Sequence, residues 1–244
     1  MIKTRRQRQY LQAMGIEIWR LRRDLTVPKE TPAITASSSP ADPPPTSNNA
    51  TLSPPLTWAA LQAQVSGCQS CELHQTRQNT VLGSGPTDAD WLWIGEAPGE
   101  QEDAQGLPFV GRAGRLFDDM LYALQLNRDQ VYMTNMVKCR PPANRNPKVK
   151  EMNCCSTYLQ HQIALLQPKL IVALGAVAAR QLLAVKTNIG ALRGQRFSYE
   201  DIPLIATYHP AFLLRRPLEK RQSWQDLKFI YQTFNASLSE SKNS

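Results

Sequence analysis

Residues 91–117 read WLWIGEAPGEQEDAQGLPFVGRAGRLF. Trp91-Leu92-Trp93-Ile94 is a short apolar run bounded by a glycine, the pattern of a buried strand. The chain then breaks into Gly95-Glu96-Ala97-Pro98-Gly99, with Glu100, Glu102 and Asp103 close behind. It closes on Gly111-Arg112-Ala113-Gly114, and a helical pattern starts at about Arg115. A buried strand that ends in a glycine-rich acidic loop and enters a helix is how α/β proteins build sites at the carboxyl ends of their strands. Glycines there let the backbone approach a ligand closely.

Working outward, further apolar runs lie at Val131–Asn135, Leu170–Gly175 and Leu204–Tyr208. Helical patterns fall between and after them, at about 114–125, 148–166, 176–184 and 221–238. Thr57 to Ser66 reads as a further helix with Thr57 as its N-cap. Four apolar runs separated by helices predict an α/β fold with a parallel sheet covered on both faces. The domain is expected over residues 56–237, with a polar, flexible tail at 238–244.

Residues 28–55 hold eight of the eighteen prolines among Ser, Thr, Asn and Ala, and read as a disordered linker. Before them, residues 1–23 carry seven basic side chains against the single acid Glu17, so this arm supplies +6 of the net +8. The remainder is close to neutral, and the high pI says little about the core. Within residues 4–23, Tyr10, Leu11, Met14, Ile18 and Leu21 recur at helical spacing, although Gly15 weakens a continuous helix. The segment 1–27 is either a solvated basic arm or a docking peptide that buries its apolar residues in a partner.

No apolar run approaches the length of a membrane span, and the arginine-bearing N-terminus has no apolar signal core. A cytoplasmic location is expected, where five cysteines are reduced and available as ligands.

Three other motifs carry chemistry. Cys68-x-x-Cys71 pairs two thiols, with Cys139, Cys154 and Cys155 following. Four such cysteines suit tetrahedral zinc or a [4Fe–4S] cluster, and spacing alone does not choose between these and small buried hydrophobes. Asn135 ends the second run in TNMVKCRPPANRNP, and its amide can read a base edge or cap a turn. His209 ends the fourth run in TYHPAFLLRRP, where Phe212 and Leu213 precede Arg215 and Arg216. Apolar wedges flanked by arginine enter DNA stacks, whereas the plain alternative is a helix start packed in the core.

GEAPGEQED, PFVGRAG, TNMVKCRPPANRNP and YHPAFLLRRP together resemble the family 4 uracil-DNA glycosylases, the iron–sulfur type, from about Trp58 to Ser237. The resemblance implies a three-layer α/β/α fold around a four-stranded parallel sheet. It implies a [4Fe–4S] cluster on Cys68, Cys71, Cys139 and Cys155, with Cys154 a bystander. It implies that uracil-containing DNA is the substrate, that the base is flipped out, and that its N-glycosidic bond is hydrolysed to leave an abasic site. By the same resemblance, Gly95, Ala97 and Gly99 cradle substrate and water, Phe109 stacks on uracil and Asn135 reads its edge. Glu102 crowds the C5 position against thymine's methyl, Leu213 wedges the gap and His209 donates to O2. The best-known uracil-excising family carries an Asp where this chain has Ala97, which leaves Glu96 as the nearest carboxylate. The covalent-trapping relatives' basic KRRIH-type insertion is absent from this sequence, so turnover is expected.

Separately, YLQAMGIEIWRLR resembles the N-terminal segment of the psi subunit of the bacterial clamp-loader assembly. This implies docking to the chi subunit, or another replisome component, through residues 4–23. The alternative function is then a weakly active or inactive accessory protein held at the replisome.

Overall fold

The computed structural model describes residues 57–240, with side chains described through residue 238. The expected arm at 1–27, the whole linker at 28–55 and Leu56 at the expected domain start lie outside the described residues.

The elements in chain order are α1 (Trp58–Ser66), β1 (Trp91–Gly95), α2 (Glu100–Gln105), α3 (Arg112–Ala123), β2 (Val131–Asn135) and α4 (Val149–Leu166). They continue as β3 (Leu170–Leu174), α5 (Ala176–Leu183), α6 (Ile189–Leu192), β4 (Arg196–Tyr199), β5 (Ile202–Thr207), α7 (Pro210–Arg215) and α8 (Lys220–Glu240). Thr57 caps α1 through its hydroxyl, which accepts from the amide of Ala60 at 3.2 Å. The last helix runs on through Glu240, past the expected start of the tail.

The sheet order is β2-β1-β3-β5-β4. The first four of these strands pair in parallel, as the apolar runs predict. A fifth, β4, pairs antiparallel with β5 at the edge and was not legible as a strand. Its residues alternate between exposed and half-buried, so it lacks the continuous apolar signature of the inner strands. The hairpin turns at Glu200 and Asp201, both with positive φ, where Asn-Gly is the usual signal.

Side chains alternate between two cores. Trp91, Trp93, Met133, Val172 and Ile205 face α3 and α8, meeting Phe117, Met120, Ile230 and Phe234. Leu92, Ile94, Ile171, Ala173 and Leu204 face the other way, toward Leu159 and Ile163 of α4 and Ala179 of α5. The result is a three-layer α/β/α arrangement. The chain passes from β1 to β2 on one side, then to β3 on the other, so β1 is where the strand order reverses. In open α/β sheets the crevice beyond the carboxyl ends of the strands at that point is where ligands bind.

Candidate active site

The carboxyl rim of the sheet brings together the ends of β1, β2, β3 and β5. Gly95 is in register with Asn135, and Leu174 with Thr207. The amide of Met136 donates to Gly95 O at 2.9 Å, so the chain beyond β2 continues to hug the β1 loop.

Gly95 lets Asn135 and Phe109 pack against the end of β1. A Cβ there would lie 2.8 Å from Phe109 Cζ and would collide with Asn135 Oδ1. Asn135 is only 3% exposed, yet its carboxamide makes no hydrogen bond among the described residues. The carboxamide keeps a little solvent access at the rim, where a ligand can bond it.

Phe109 is buried, and its backbone is left-handed (φ 55°). A bulky residue there is rare, and such strain collects at functional sites. Its surroundings hold it in place. The ring stacks on Phe117 with centroids 4.8 Å apart, and its centroid lies 6.1 Å from that of His209. Arg128 donates to the carbonyl oxygens of both Pro108 and Phe109 and pairs with Asp118 at 2.6 Å. Gly114 lies beneath this turn, where any Cβ would collide with the Phe109 carbonyl.

His209 caps α7. Its Nδ1 accepts from the amide of Ala211 at 3.1 Å, which leaves the proton of the neutral ring on Nε2. Burial, with the Arg215 guanidinium adding to it, pulls the imidazole pKa down to about 4. The ring is therefore neutral at ordinary pH and offers one donor. Gly175, at φ 93°, lets the imidazole sit against the end of β3, since a Cβ there would lie 3.0 Å from His209 Cβ.

Behind His209, Arg193 grips Asp226 through two hydrogen bonds of 2.7 and 2.9 Å, and Thr207 donates to the same carboxylate at 2.6 Å. The Arg193 guanidinium also lies 4.5 Å from the Tyr208 ring centroid. Sequence reading missed this network, because Arg193 and Asp226 are far apart in the chain and meet only through folding.

Glu96 is half-buried, and burial raises its carboxyl pKa while Arg215 opposes the shift. Arg215 therefore acts electrostatically on both Glu96 and His209 at this rim.

Two expectations from sequence meet a different geometry. Both oxygens of Glu102 are engaged by backbone amides: Oε2 accepts from Gly99 at 3.1 Å, and Oε1 from Val110 and Gly111 at 3.0 and 3.1 Å. The carboxylate clasps the two ends of the 99–111 loop and presents no free edge toward a base. Leu213, expected as a wedge, is 1% exposed and packs in the core beside Leu116 and Leu227. Withdrawing it would cost roughly 1.5–3 kcal/mol of burial. The helical period of α7 turns it inward, which is the plain alternative for this motif.

The cysteines form a second locus. Cys68, Cys71, Cys139, Cys154 and Cys155 all line one cavity of about 290 Å³, counting its open mouth. Among the described residues, no three His, Cys, Asp or Glu side chains converge on a single-ion site. Instead the thiols ring a wider space. Arg77 Nη1 donates to Cys139 Sγ at 3.1 Å, and the Lys138 amide to Cys155 Sγ at 3.3 Å. Burial raises the thiol pKa values of Cys71 and Cys139, and that of Cys155 to about 11. For Cys68 burial acts in the same direction, but hydrogen bonds with Ser70 and Tyr158 outweigh it and the net shift is downward. The methyl of Ala97 packs against this cysteine cluster, so the β1 loop touches both loci.

This combination, a switch-point rim with a buried Asn whose carboxamide is unbonded among the described residues, a neutral His and a strained Phe, sits in a chain that belongs to the uracil DNA glycosylase superfamily, whose family model matches residues 82–228. Within that superfamily the chain is similar to type-4 uracil-DNA glycosylases. It is 39% identical to that of Archaeoglobus fulgidus over 175 residues, 68% of this chain and 88% of the relative. It is 40% identical to that of Sulfurisphaera tokodaii, over 70% of this chain and 81% of the relative. With that of Thermotoga maritima the identity is 42%, over 62% of this chain and 80% of the relative. No helix among the described residues is long and apolar enough to cross a membrane.

Proposed function

We propose that this protein is a DNA-repair glycosylase that hydrolyses the N-glycosidic bond of deoxyuridine in DNA. The observation that carries this reading is Asn135: a residue only 3% exposed whose carboxamide makes no hydrogen bond among the described residues and whose Oδ1 lies, with Phe109 Cζ, against Gly95. A base swung out of the stack reaches this rim. Phe109 supports its face, and the Asn135 amide meets the carbonyl and imide edge of uracil. Cytosine would present an amino group to the same donor and is rejected.

In the reaction the C1′–N1 bond breaks and its electron pair leaves with the base, while the oxygen of water bonds to C1′. Charge grows on uracil O2, where the Nε2–H of His209 donates to it. A preorganised donor of this kind acts only as the charge develops, which is why it accelerates the step. Glu96 is the nearest carboxylate to take the proton that water gives up. Gly95, Ala97 and Gly99 form the cradle, with Glu102 holding its shape.

Cys68, Cys71, Cys139 and Cys155 are proposed to carry a [4Fe–4S] cluster, with Cys154 a neighbour. A cubane spreads its ligand sulfurs wider than one ion does, which suits thiols that ring a cavity. The N–H···S bonds from Arg77 and Lys138 suit thiolate ligands. When bound, the cluster would staple the segment after α1 to the β2 loop and α4. Attachment to the replisome through residues 4–23 is proposed on the sequence resemblance to psi alone. Loss of chi-subunit capture on deleting residues 1–25 tests it.

The function is tested by incubating the protein with uracil-containing oligonucleotides, treating with alkali and resolving strand cleavage. Cleavage at uracil, slowed about 10²–10³-fold by His209→Ala or Asn135→Ala, is the expected result. Absence of cleavage from protein loaded with iron and sulfide favours the accessory alternative.

A further inference from the structure

We infer that the turn Pro217–Glu219, with Leu218 at its tip, is the element that enters the base stack of duplex DNA beside the flipped nucleotide. This inference rests on the glycosylase reading and names the surface that serves it. Leu218 is 92% exposed, the most exposed large apolar side chain among the described residues. Arg215, Arg216 and Arg221 around it are exposed, and Lys220 is half-buried. The single acid of the turn, Glu219, is turned in, with its Oε2 buried. An exposed apolar tip flanked along the chain by cations fits a polyanion with a stack to enter, and suits a neutral protein groove poorly.

The tip is also rigidly tied to the chemistry. His209 caps α7 and accepts through its carbonyl from the amides of Phe212 and Leu213 at 2.9 and 3.2 Å. Arg216 N donates to Phe212 O at 2.9 Å, and Glu219 N to Arg216 O at 3.0 Å. Pro217 fixes its own φ at the first position of the turn. The six residues of α7 span about 9 Å. Leu213, buried beneath, is the anchor of this lever and Leu218 its point.

The test compares Leu218→Ala with the unaltered protein on the same uracil-containing sequence, single-stranded and duplex. Thermal unfolding is followed in parallel, together with the fluorescence of 2-aminopurine placed next to the uracil. The expected result is a duplex-specific loss of about tenfold or more in kcat/KM, unchanged single-strand excision, unchanged Tm and a weaker fluorescence rise on binding. Equal activity of the two proteins on duplex overturns the inference, as does an equal loss on both substrates. Failure of the unaltered protein to excise uracil from either substrate defeats the glycosylase reading itself, a separate outcome.

Discussion

The ammonium of Lys138 lies 2.7 Å from the carbonyl oxygen of Asn135, buried at 1% exposure. Its other two protons go to Thr134 Oγ1 at 2.7 Å and Gln162 Oε1 at 2.6 Å. All three donors of this lysine are used, and Gln162 carries the network on to Leu82 O and the Tyr132 hydroxyl. A buried cation thus holds the backbone from which the amide proposed to read the base projects. Replacing Lys138 with Met leaves these acceptors short of a partner in a dry site. The expected cost is about 2–4 kcal/mol in urea unfolding. In the folded fraction, weaker discrimination of uracil from cytosine is expected, measured with paired oligonucleotides.

Asp226 gives a second prediction. Its side chain is 3% exposed and that of Arg193 10%. Asp226→Ala strands a buried guanidinium and is expected to lower stability by about 3–5 kcal/mol. The double variant Arg193→Met with Asp226→Leu should recover much of that loss, which a denaturation series on the single and double variants would show.

His209 sets a pH dependence. Its folded pKa of about 4 lies below the unfolded value of about 6.5, so the unfolded chain takes up the proton first. The contribution is fully present above pH about 6.5 and is lost as pH falls toward about 4. Tm measured across that window should fall less steeply in His209→Asn than in the unaltered protein. Because the folded imidazole stays neutral, the excision rate should show no histidine inflection between about pH 5 and 8.

Gly95→Ala is expected to inactivate with little unfolding. The added methyl would collide with Asn135 Oδ1 and lie 2.8 Å from Phe109 Cζ, so it pushes on the two side chains proposed to hold the base. Displacing a base by about 1 Å costs on the order of 10²-fold in rate. Single-turnover excision set against circular dichroism separates the two effects.

The inner sheet was legible because β1, β2 and β3 are buried on both faces, and such strands read as unbroken apolar runs. Asn135 and His209 were legible because they end such runs. The edge strand β4 was not, since its pattern is half polar and its turn uses Glu-Asp where glycine is customary. Arg128, Lys138, Arg193 and Asp226 were missed as a class. Each works by meeting a partner distant in sequence or a backbone carbonyl, and neither leaves a local signature. Gly175 did leave one, a glycine just past a buried strand, and could have been singled out as Gly95 was. Leu213 shows the reverse: its offset from His209 suggested a wedge, whereas helical periodicity, applied to α7, turns it inward.

Gly114 never faces the pocket, yet the aromatic wall depends on it. With no side chain on α3 at that point, the Phe109 carbonyl settles onto the helix and the ring is drawn back toward Phe117. The position of the ring at the rim is therefore set from behind, by how closely a helix face lets the backbone approach. Evolution or design could retune which bases enter by changing residues that no base ever touches.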